Sequence, residues 1–160
     1  MPVSMSGDVA ARVTAFLDAH HVMSLATWTP HGAHAANLFY CRDGFSLMWV
    51  SDAQTRHSLA LEANPRVGAT VAPDYRDFDQ ICGLQILGEA YCVIEPTERR
   101  FARTLLETRY PTLHDLLDGS VLKDTYDAAE PYRLVPHEIV IIDNRRGFGS
   151  KDVLDFRSRQ

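Results

Sequence analysis

Hydrophobic and polar residues alternate along most of the chain with the period of a β-strand. The alternation is interrupted by turn residues, as at residues 30–32 (PHG) and 42–44 (RDG). The six strands predicted in this way are residues 22–29, 33–41, 45–51, 66–71, 81–94 and 132–143. Because only a few residues join the first three strands, the first half of the chain is predicted to be a β-meander.

Helical periodicity is confined to short segments between and around these strands. The first predicted helix starts at residues 6–8 and presents one apolar face, made of Val9, Val13, Phe16 and Leu17. The other predicted helices are residues 55–63, ended by Asn64-Pro65, residues 98–110, with Thr97 as N-cap, and residues 113–117. Two glycines inside the fifth strand, Gly83 and Gly88, predict bends or β-bulges.

Several strands carry apolar side chains on both faces. In the strand of residues 45–51, Ser46 is the one polar residue before Ser51 at the strand end. One face must therefore fill a barrel interior, and the other must be covered by a helix or a second subunit. The chain length predicts a single domain over residues 1–160, and its strands make the predicted fold mainly β (α+β). Since few helices are available to cover the outer faces, the pattern also predicts a homodimer. Trp49 and Phe39 are interpreted as core residues.

Composition and charge indicate a protein of the cytoplasm. A formal net charge of −5 without a basic stripe argues against nucleic-acid binding. No apolar stretch is long enough to span a bilayer, and the N-terminus lacks the basic and apolar regions of a secretory signal. Cys41, Cys82 and Cys92 lack C-x-x-C spacing, which predicts reduced thiols in core or strand positions.

The segment of residues 51–57 (SDAQTRH) joins the third strand to a helix. Such a loop can direct backbone N–H groups and the positive end of a helix dipole at one point. Arg56 adds a fork of donors, and Ser51 and Thr55 add hydroxyls, so the loop can hold a phosphate. The alternative is an ordinary capped helix with an exposed Arg56, because no glycine-rich loop is present.

Metal and hydrolase chemistry find little support in the sequence. His31 and His34 lie on either side of a hairpin turn, where strand alternation is expected to send their side chains to different faces. Neither they nor His20 and His21 have a cysteine or carboxylate nearby at a metal-ligand spacing, so no metal site is expected. A G-x-S-x-G elbow, a P-loop and a Rossmann fingerprint are also missing.

Five short segments, in order along the chain, carry a family resemblance. They are residues 36–40 (ANLFY), 55–57 (TRH), 67–71 (VGATV), 83–89 (GLQILGE) and 147–151 (GFGSK). Together they resemble the FMN-binding split-barrel superfamily of pyridoxamine-phosphate-oxidase-like proteins, and within it the uncharacterised YhbP-like bacterial branch. The resemblance runs from about residue 22 to residue 142. It implies a six-stranded antiparallel split β-barrel with a few peripheral helices, and a homodimer with two flavin sites at its interface.

The resemblance also implies roles for individual residues around FMN. Arg56 would hold the phosphate, with Thr55 and Ser51 as hydroxyl donors. His57 stands where the superfamily often has Lys, so phosphate binding is expected to strengthen as His57 is protonated.

The flavin ring would lie along residues 37–40 and 48–51, where Asn37 and Val50 contact it and backbone groups meet its polar edge. Gln85, a polar residue in an apolar strand, either hydrogen-bonds the pyrimidine edge of the ring or faces solvent.

The leading functional hypothesis is an FMN-dependent oxidoreductase acting on an unknown small molecule. The flavin performs the chemistry in such an enzyme, so no catalytic side chain is assigned. A second hypothesis is a non-enzymatic dimer that binds flavin or haem, for which the chain offers seven histidines. A third is a structural dimer without a cofactor.

Overall fold

One curled antiparallel sheet organises the chain, with helices packed against it. The computed structural model describes residues 6–119 and 121–157, so the N-terminal segment that bears on a secretory signal lies largely outside the described residues. The strands are β1 (Val22–Thr29), β2 (Gly32–Phe39), β3 (Cys41–Asp43), β4 (Ser46–Ser51), β5 (Arg66–Val71), β6 (Cys82–Cys92), β7 (Glu130–Asp143) and β8 (Lys151–Asp155). The α-helices are α1 (Ser6–Ala19), α2 (Arg56–Ala63), α3 (Pro96–Arg109), α4 (Thr112–Leu117) and α5 (Val121–Ala128). In the described part of the chain no helix has the length and apolar character needed to cross a membrane.

The strands follow the order β2-β1-β5-β6-β7-β4-β3, and β8 also pairs with β7. The long strand β7 makes this arrangement possible. Its residues 130–134 pair with β4, its residues 138–142 pair with β8, and β6 runs along its other side. Among the described strands β2 pairs only with β1, so one edge of β2 is free.

Strand alternation places the core inside the curl of the sheet. Met23 and Leu25 of β1 are buried, whereas their neighbours along the strand are exposed. Helix α1 fills the interior with its apolar face, as the sequence predicts: Val9, Val13 and Leu17 are buried. Trp49 is a core residue, also as predicted, and stacks on Tyr132 with ring centroids 5.6 Å apart.

A second apolar cluster lies between β3–β4 and the later helices. Met48 points out of the main core and packs with Leu106 of α3 and Tyr126 of α5. The prediction that the strands bury side chains on both faces is confirmed here, because helices cover the second face of β4.

The described residues form eight strands rather than the predicted six. The segment predicted as a turn at residues 42–44 carries β3, which forms a tight hairpin with β4 through Gly44, at φ +61°. The C-terminal residues contain β8, whose five residues include three charged ones and so gave no clear apolar alternation. Helix α5 was not predicted either, and Tyr126 is its one buried side chain.

The N-cap of α3 is Glu95 and not Thr97. The Glu95 carboxylate accepts a hydrogen bond from Glu98 N at 2.8 Å. Pro96 follows at the first helical position, where its missing N–H and fixed φ are favourable. The helix therefore begins two residues earlier than the sequence pattern suggested.

Gly88 forms the predicted β-bulge. Leu87 pairs with Glu138 and Gly88 with Pro136, which leaves His137 as an extra residue in β7. A Cβ atom on Gly88 would lie 2.2 Å from the carbonyl oxygen of Val135. Only glycine can therefore occupy this position without a backbone shift. Gly83, by contrast, pairs regularly with its partner in β7.

Candidate functional site

The loop between β4 and α2 is held by the hydroxyl of Thr55. Thr55 is the N-cap of α2, where its Oγ1 accepts a hydrogen bond from Ser58 N at 3.4 Å. The same hydroxyl donates to the carbonyl oxygen of Asp52 at 2.9 Å. Thr55 therefore serves first as a helix cap, and it presents α2 and its N-terminal N–H groups in a fixed orientation.

His57 lies beneath this loop with its ring buried. Its Nε2 is 2.8 Å from Ser51 Oγ and 3.2 Å from Thr55 Oγ1. Burial lowers the pKa of His57 below its ordinary value of 6.5, and repulsion from the neighbouring His34 lowers it further. The neutral ring thus connects the end of β4 to the cap of α2.

Arg56 is exposed and lines a cleft of about 490 Å³ between α2 and the β1–β2 hairpin, here named the hairpin cleft. The cleft is lined by Thr27, Thr29, His31, Gly32, Ala33, His34, Arg56, Leu59 and Ala60. None of these residues is acidic, so the guanidinium of Arg56 has no competing carboxylate in the cleft.

His34 is the site residue that the sequence analysis missed. Its ring is nearly parallel to that of His57, at an interplanar angle of 10° and a centroid distance of 6.4 Å. Its Nδ1 is buried and has no hydrogen-bond partner among the described residues. Buried polar atoms are nearly always paired, so an unpaired nitrogen on a ring that lines the cleft is unusual and marks His34 as a candidate ligand contact.

His31 and His34, which lie on either side of the hairpin turn, both line the hairpin cleft. His31 belongs to the turn, where strand alternation no longer determines the direction of a side chain. Within residues 6–119 and 121–157, no group of three His, Cys, Asp or Glu side chains is arranged to hold a metal ion.

Asn37 and Val50 line a second cavity of about 430 Å³, here named the helix cavity. It lies where β2 and β4 face α3, α4 and α5. Asn37 is exposed, and its Oδ1 accepts a hydrogen bond from Ser24 Oγ at 2.7 Å. This hydrogen bond fixes the orientation of the Asn37 amide group.

The hairpin cleft and the helix cavity lie at opposite ends of β2. His34 in the first and Asn37 in the second are three residues apart in the strand, which corresponds to about 10 Å. The structure thus groups Arg56 and the loop residues Ser51, Thr55 and His57 near one end, and Asn37 and Val50 at the other. The free edge of β2 runs between them.

Gln85 lies away from both cavities. Across the sheet it pairs with Thr70, which pairs with Ser24, which in turn pairs with Asn37. These four residues form an exposed polar row, in which Gln85 is about 14 Å from Asn37 at the usual strand spacing. Of the two alternatives that the sequence left open, exposure on the outer side of the sheet is the one observed in the single chain.

Phe39 is not a core residue, contrary to the prediction. Its side chain is 63% exposed and meets the edge of Tyr110, with ring centroids 5.5 Å apart. It belongs to the set of β2 residues that alternation directs outward, together with Asn37.

Comparison with known proteins places these features in a family. A profile described as pyridoxamine 5'-phosphate oxidase matches residues 9–133. A UPF0306 protein of Photorhabdus laumondii is 30% identical over 138 residues, which are 85% of this chain and 88% of that protein.

Solved structures show the same fold at low sequence identity. An FAD-binding protein from Mesorhizobium loti has a TM-score of 0.65 at 17% identity, over 81% of this chain and 91% of its own. A haem-binding protein from Mycobacterium smegmatis has a TM-score of 0.72 at 18% identity, over 97% of this chain and 60% of its own. The predicted split-barrel fold is confirmed, and the extent of the profile match shows that the chain belongs to the pyridoxamine 5'-phosphate oxidase family.

Proposed function

We propose that the protein binds FMN along the free edge of β2 and acts as a flavin-dependent oxidoreductase. One observation carries the proposal: Arg56 and His34, whose Nδ1 is unpaired, line one cleft, and a largely apolar cavity lies at the other end of the same strand edge. FMN carries a phosphate at one end and a ring at the other, joined by a ribityl chain. Its shape therefore matches this arrangement.

The hairpin cleft fits a phosphate in its donor set. Arg56 offers a planar fork that can bind two phosphate oxygens at once. His34 Nδ1 provides a second nitrogen, which donates in the appropriate tautomer or when the ring is protonated. The burial that leaves this nitrogen unpaired in the chain alone is compensated once an oxygen accepts from it.

The free edge of β2, at the strand side of the helix cavity, fits the flavin ring. A free edge presents unpaired backbone N–H and C=O groups, which can meet the polar edge of the ring. Val50 offers an apolar contact and Asn37 an amide. When bound, the flavin supplies hydride or electron transfer, while these residues bind it, orient it and limit the access of water.

The protein is also proposed to be a homodimer through the outer face of the sheet. This face contains Val22, Ser24, Ala26 and Trp28 of β1 and their cross-strand partners. Three large apolar side chains on it are more than half exposed in the single chain: Trp28, Phe39 and Leu87. Exposed apolar surface of this extent is typical of a protein interface, and the polar row that includes Gln85 would then lie between the subunits.

Haem is the second candidate ligand. The observation in its favour is that His31 and His34, two potential iron ligands, line one cleft. The apolar helix cavity, however, contains no histidine among its lining residues. A porphyrin would therefore have to be ligated in the hairpin cleft, where the charged Arg56 is better suited to an anion.

The absorbance spectrum of the freshly purified protein, before and after incubation with FMN or haemin, tests the proposal. A flavin spectrum that persists through gel filtration is the expected result. A Soret band that persists instead would replace flavin by haem, and a spectrum without either chromophore after both incubations would contradict cofactor binding.

A further inference from the structure

The helix cavity extends well beyond the strand edge that is proposed to hold the flavin. Its far wall is formed by Leu106 of α3, Leu113 and Leu116 of α4, and Tyr126 of α5. A volume of about 430 Å³ lies in the range of small-molecule sites, roughly 300–1,000 Å³. A cavity of this volume accommodates one small molecule between these helices and the strand edge.

The lining of this cavity carries no charged side chain. Its two tyrosines already use their hydroxyls: Tyr110 donates to the carbonyl oxygen of Tyr40 at 2.6 Å, and Tyr126 donates to a carboxylate oxygen of Glu107 at 3.2 Å. Burial raises the pKa of both tyrosines, so their hydroxyls remain neutral. Asn37 and Thr112 are the other polar residues in the lining.

The aromatic wall is fixed in position by its surroundings. Arg103 lies behind Tyr126, with its guanidinium carbon 4.8 Å from the ring centroid. It donates to the carbonyl oxygens of Tyr126 at 3.1 Å and of Ala129 at 2.5 Å, which anchors the end of α5 to α3. Opposite, Phe39 and Tyr110 meet edge to face. A wall that is already ordered binds a flat ligand at a low entropic cost.

We propose that the helix cavity is the substrate pocket, and that it takes a neutral, flat and largely apolar ring compound. The position of this substrate next to the flavin rests on the proposed function, whereas its chemical class follows from the lining alone. A phosphorylated amine such as pyridoxamine 5'-phosphate would bring a phosphate and an ammonium into a cavity that offers no opposite charge. The desolvation of such groups without a partner opposes binding strongly.

Menadione, a neutral naphthoquinone, is a suitable probe, and pyridoxamine 5'-phosphate is the charged comparison. Each is titrated by calorimetry into the FMN-loaded protein and into the protein without FMN. The informative variant is Leu116→Asp, because this side chain lines the cavity yet is 56% exposed, so the fold tolerates the change. The matched control is Val121→Asp, on the neighbouring helix α5, where the side chain is 82% exposed and outside the cavity.

Menadione should bind saturably to the wild type and to Val121→Asp. Leu116→Asp should weaken binding about tenfold or more, since a carboxylate is brought against the apolar ring. Tighter binding of pyridoxamine 5'-phosphate than of menadione would overturn the inference, even if FMN binds. So would equal menadione affinity in wild type and Leu116→Asp. Menadione binding without any FMN binding would retain the apolar pocket and remove the proposed flavin function instead.

Discussion

The Nε2 atom of His57 lies 2.8 Å from the hydroxyl oxygen of Ser51. This contact joins the first turn of α2 to the last residue of β4, directly below the loop that presents Arg56. The ring is buried, and His34 stacks beyond it. The proposed phosphate site thus rests on a histidine that burial keeps neutral, and we expect protonation of this histidine to change both the stability of the fold and the binding of FMN.

The free energy of unfolding is expected to depend on pH through His57. Its pKa is lowered in the folded chain, chiefly by burial, so below pH 6.5 the unfolded chain binds the proton more readily. Stability should therefore fall as the pH falls from 6.5 towards the lower folded pKa, and level off below it. Urea unfolding of the protein without FMN across this window measures the effect.

A His57→Gln variant provides the comparison, because an amide keeps a hydrogen bond with Ser51 but does not titrate. Its stability should be flatter than that of the wild type in the same window. The control is His114→Gln, an exposed position on α4, which should follow the wild-type profile. Parallel profiles for wild type and His57→Gln would show that burial of His57 does not control the acid stability.

Bound FMN should counteract the effect of burial on the pKa of His57. A bound phosphate dianion favours the imidazolium form, so it raises the pKa of His57. Linkage then requires that FMN binds more tightly as the pH falls through the window between the free and bound values. Fluorescence titrations of FMN from pH 5.5 to 8.5 should show this trend in the wild type and a weaker one in His57→Gln. The phosphate's own ionisation affects both proteins alike and cancels in the comparison.

Replacement of Arg56 by Ala should weaken FMN binding more than any other single change in the hairpin cleft. The loss of a charge-assisted contact costs about 1.5–3 kcal/mol, or roughly tenfold to a hundredfold in affinity. Arg100→Ala, at an exposed position on α3, should leave the affinity unchanged. Quenching of FMN fluorescence gives both dissociation constants, and equal values for Arg56→Ala and wild type would remove Arg56 from the site.

Local alternation was sufficient to predict the strands that bury one face. In β1, Met23, Leu25 and Thr27 are buried, and the residues between them are exposed. Strands β3 and β8 were missed because three and five residues are too few for a period of two to be recognised. The cap at Glu95 was missed because Thr97 is the better cap by residue type, whereas Pro96 determines where the helix begins.

The residues around α2 could be predicted because they are close in sequence, but the cavities could not. The hairpin cleft depends on β2 being an edge strand, and strand order is a non-local property. Strand alternation directs His34 to the same side of β2 as the inward-facing Leu38. Its unpaired nitrogen, however, can be recognised only in the folded chain, where α2 packs beside the hairpin. Likewise, the helix cavity combines Asn37 with Tyr126, which are far apart along the chain.

The homodimer proposal predicts one species near twice 18.0 kDa in sedimentation at low micromolar concentration. An interface that covers the outer face should exceed about 2,000 Å². Trp28→Glu should shift the protein towards the monomer, because a carboxylate would be buried against the partner. Val121→Glu, at a more exposed apolar position on α5, should leave the dimer intact. A well-folded wild-type monomer would contradict the proposed interface, although not FMN binding to a single chain.

Gly88→Ala should destabilise the fold, because the β-bulge brings the backbone of β7 against this position. The added Cβ would lie 2.2 Å from Val135 O and 3.0 Å from Pro136 Cα, and neither is a side chain that can move away. We expect a loss of about 1–3 kcal/mol in the free energy of urea unfolding, as for other overpacked sites. Gly68→Ala is the matched strand control, since its nearest new contact is Ile86 O at 3.9 Å, an ordinary separation. Gly68 lies on the outer face of the sheet, so both variants are compared over a range of protein concentrations. An effect on the dimer depends on protein concentration, whereas an effect on the fold of the single chain does not. Equal stability of Gly88→Ala and wild type would show that β7 can shift at the bulge, and that Gly88 is not required for the pairing of β6 with β7.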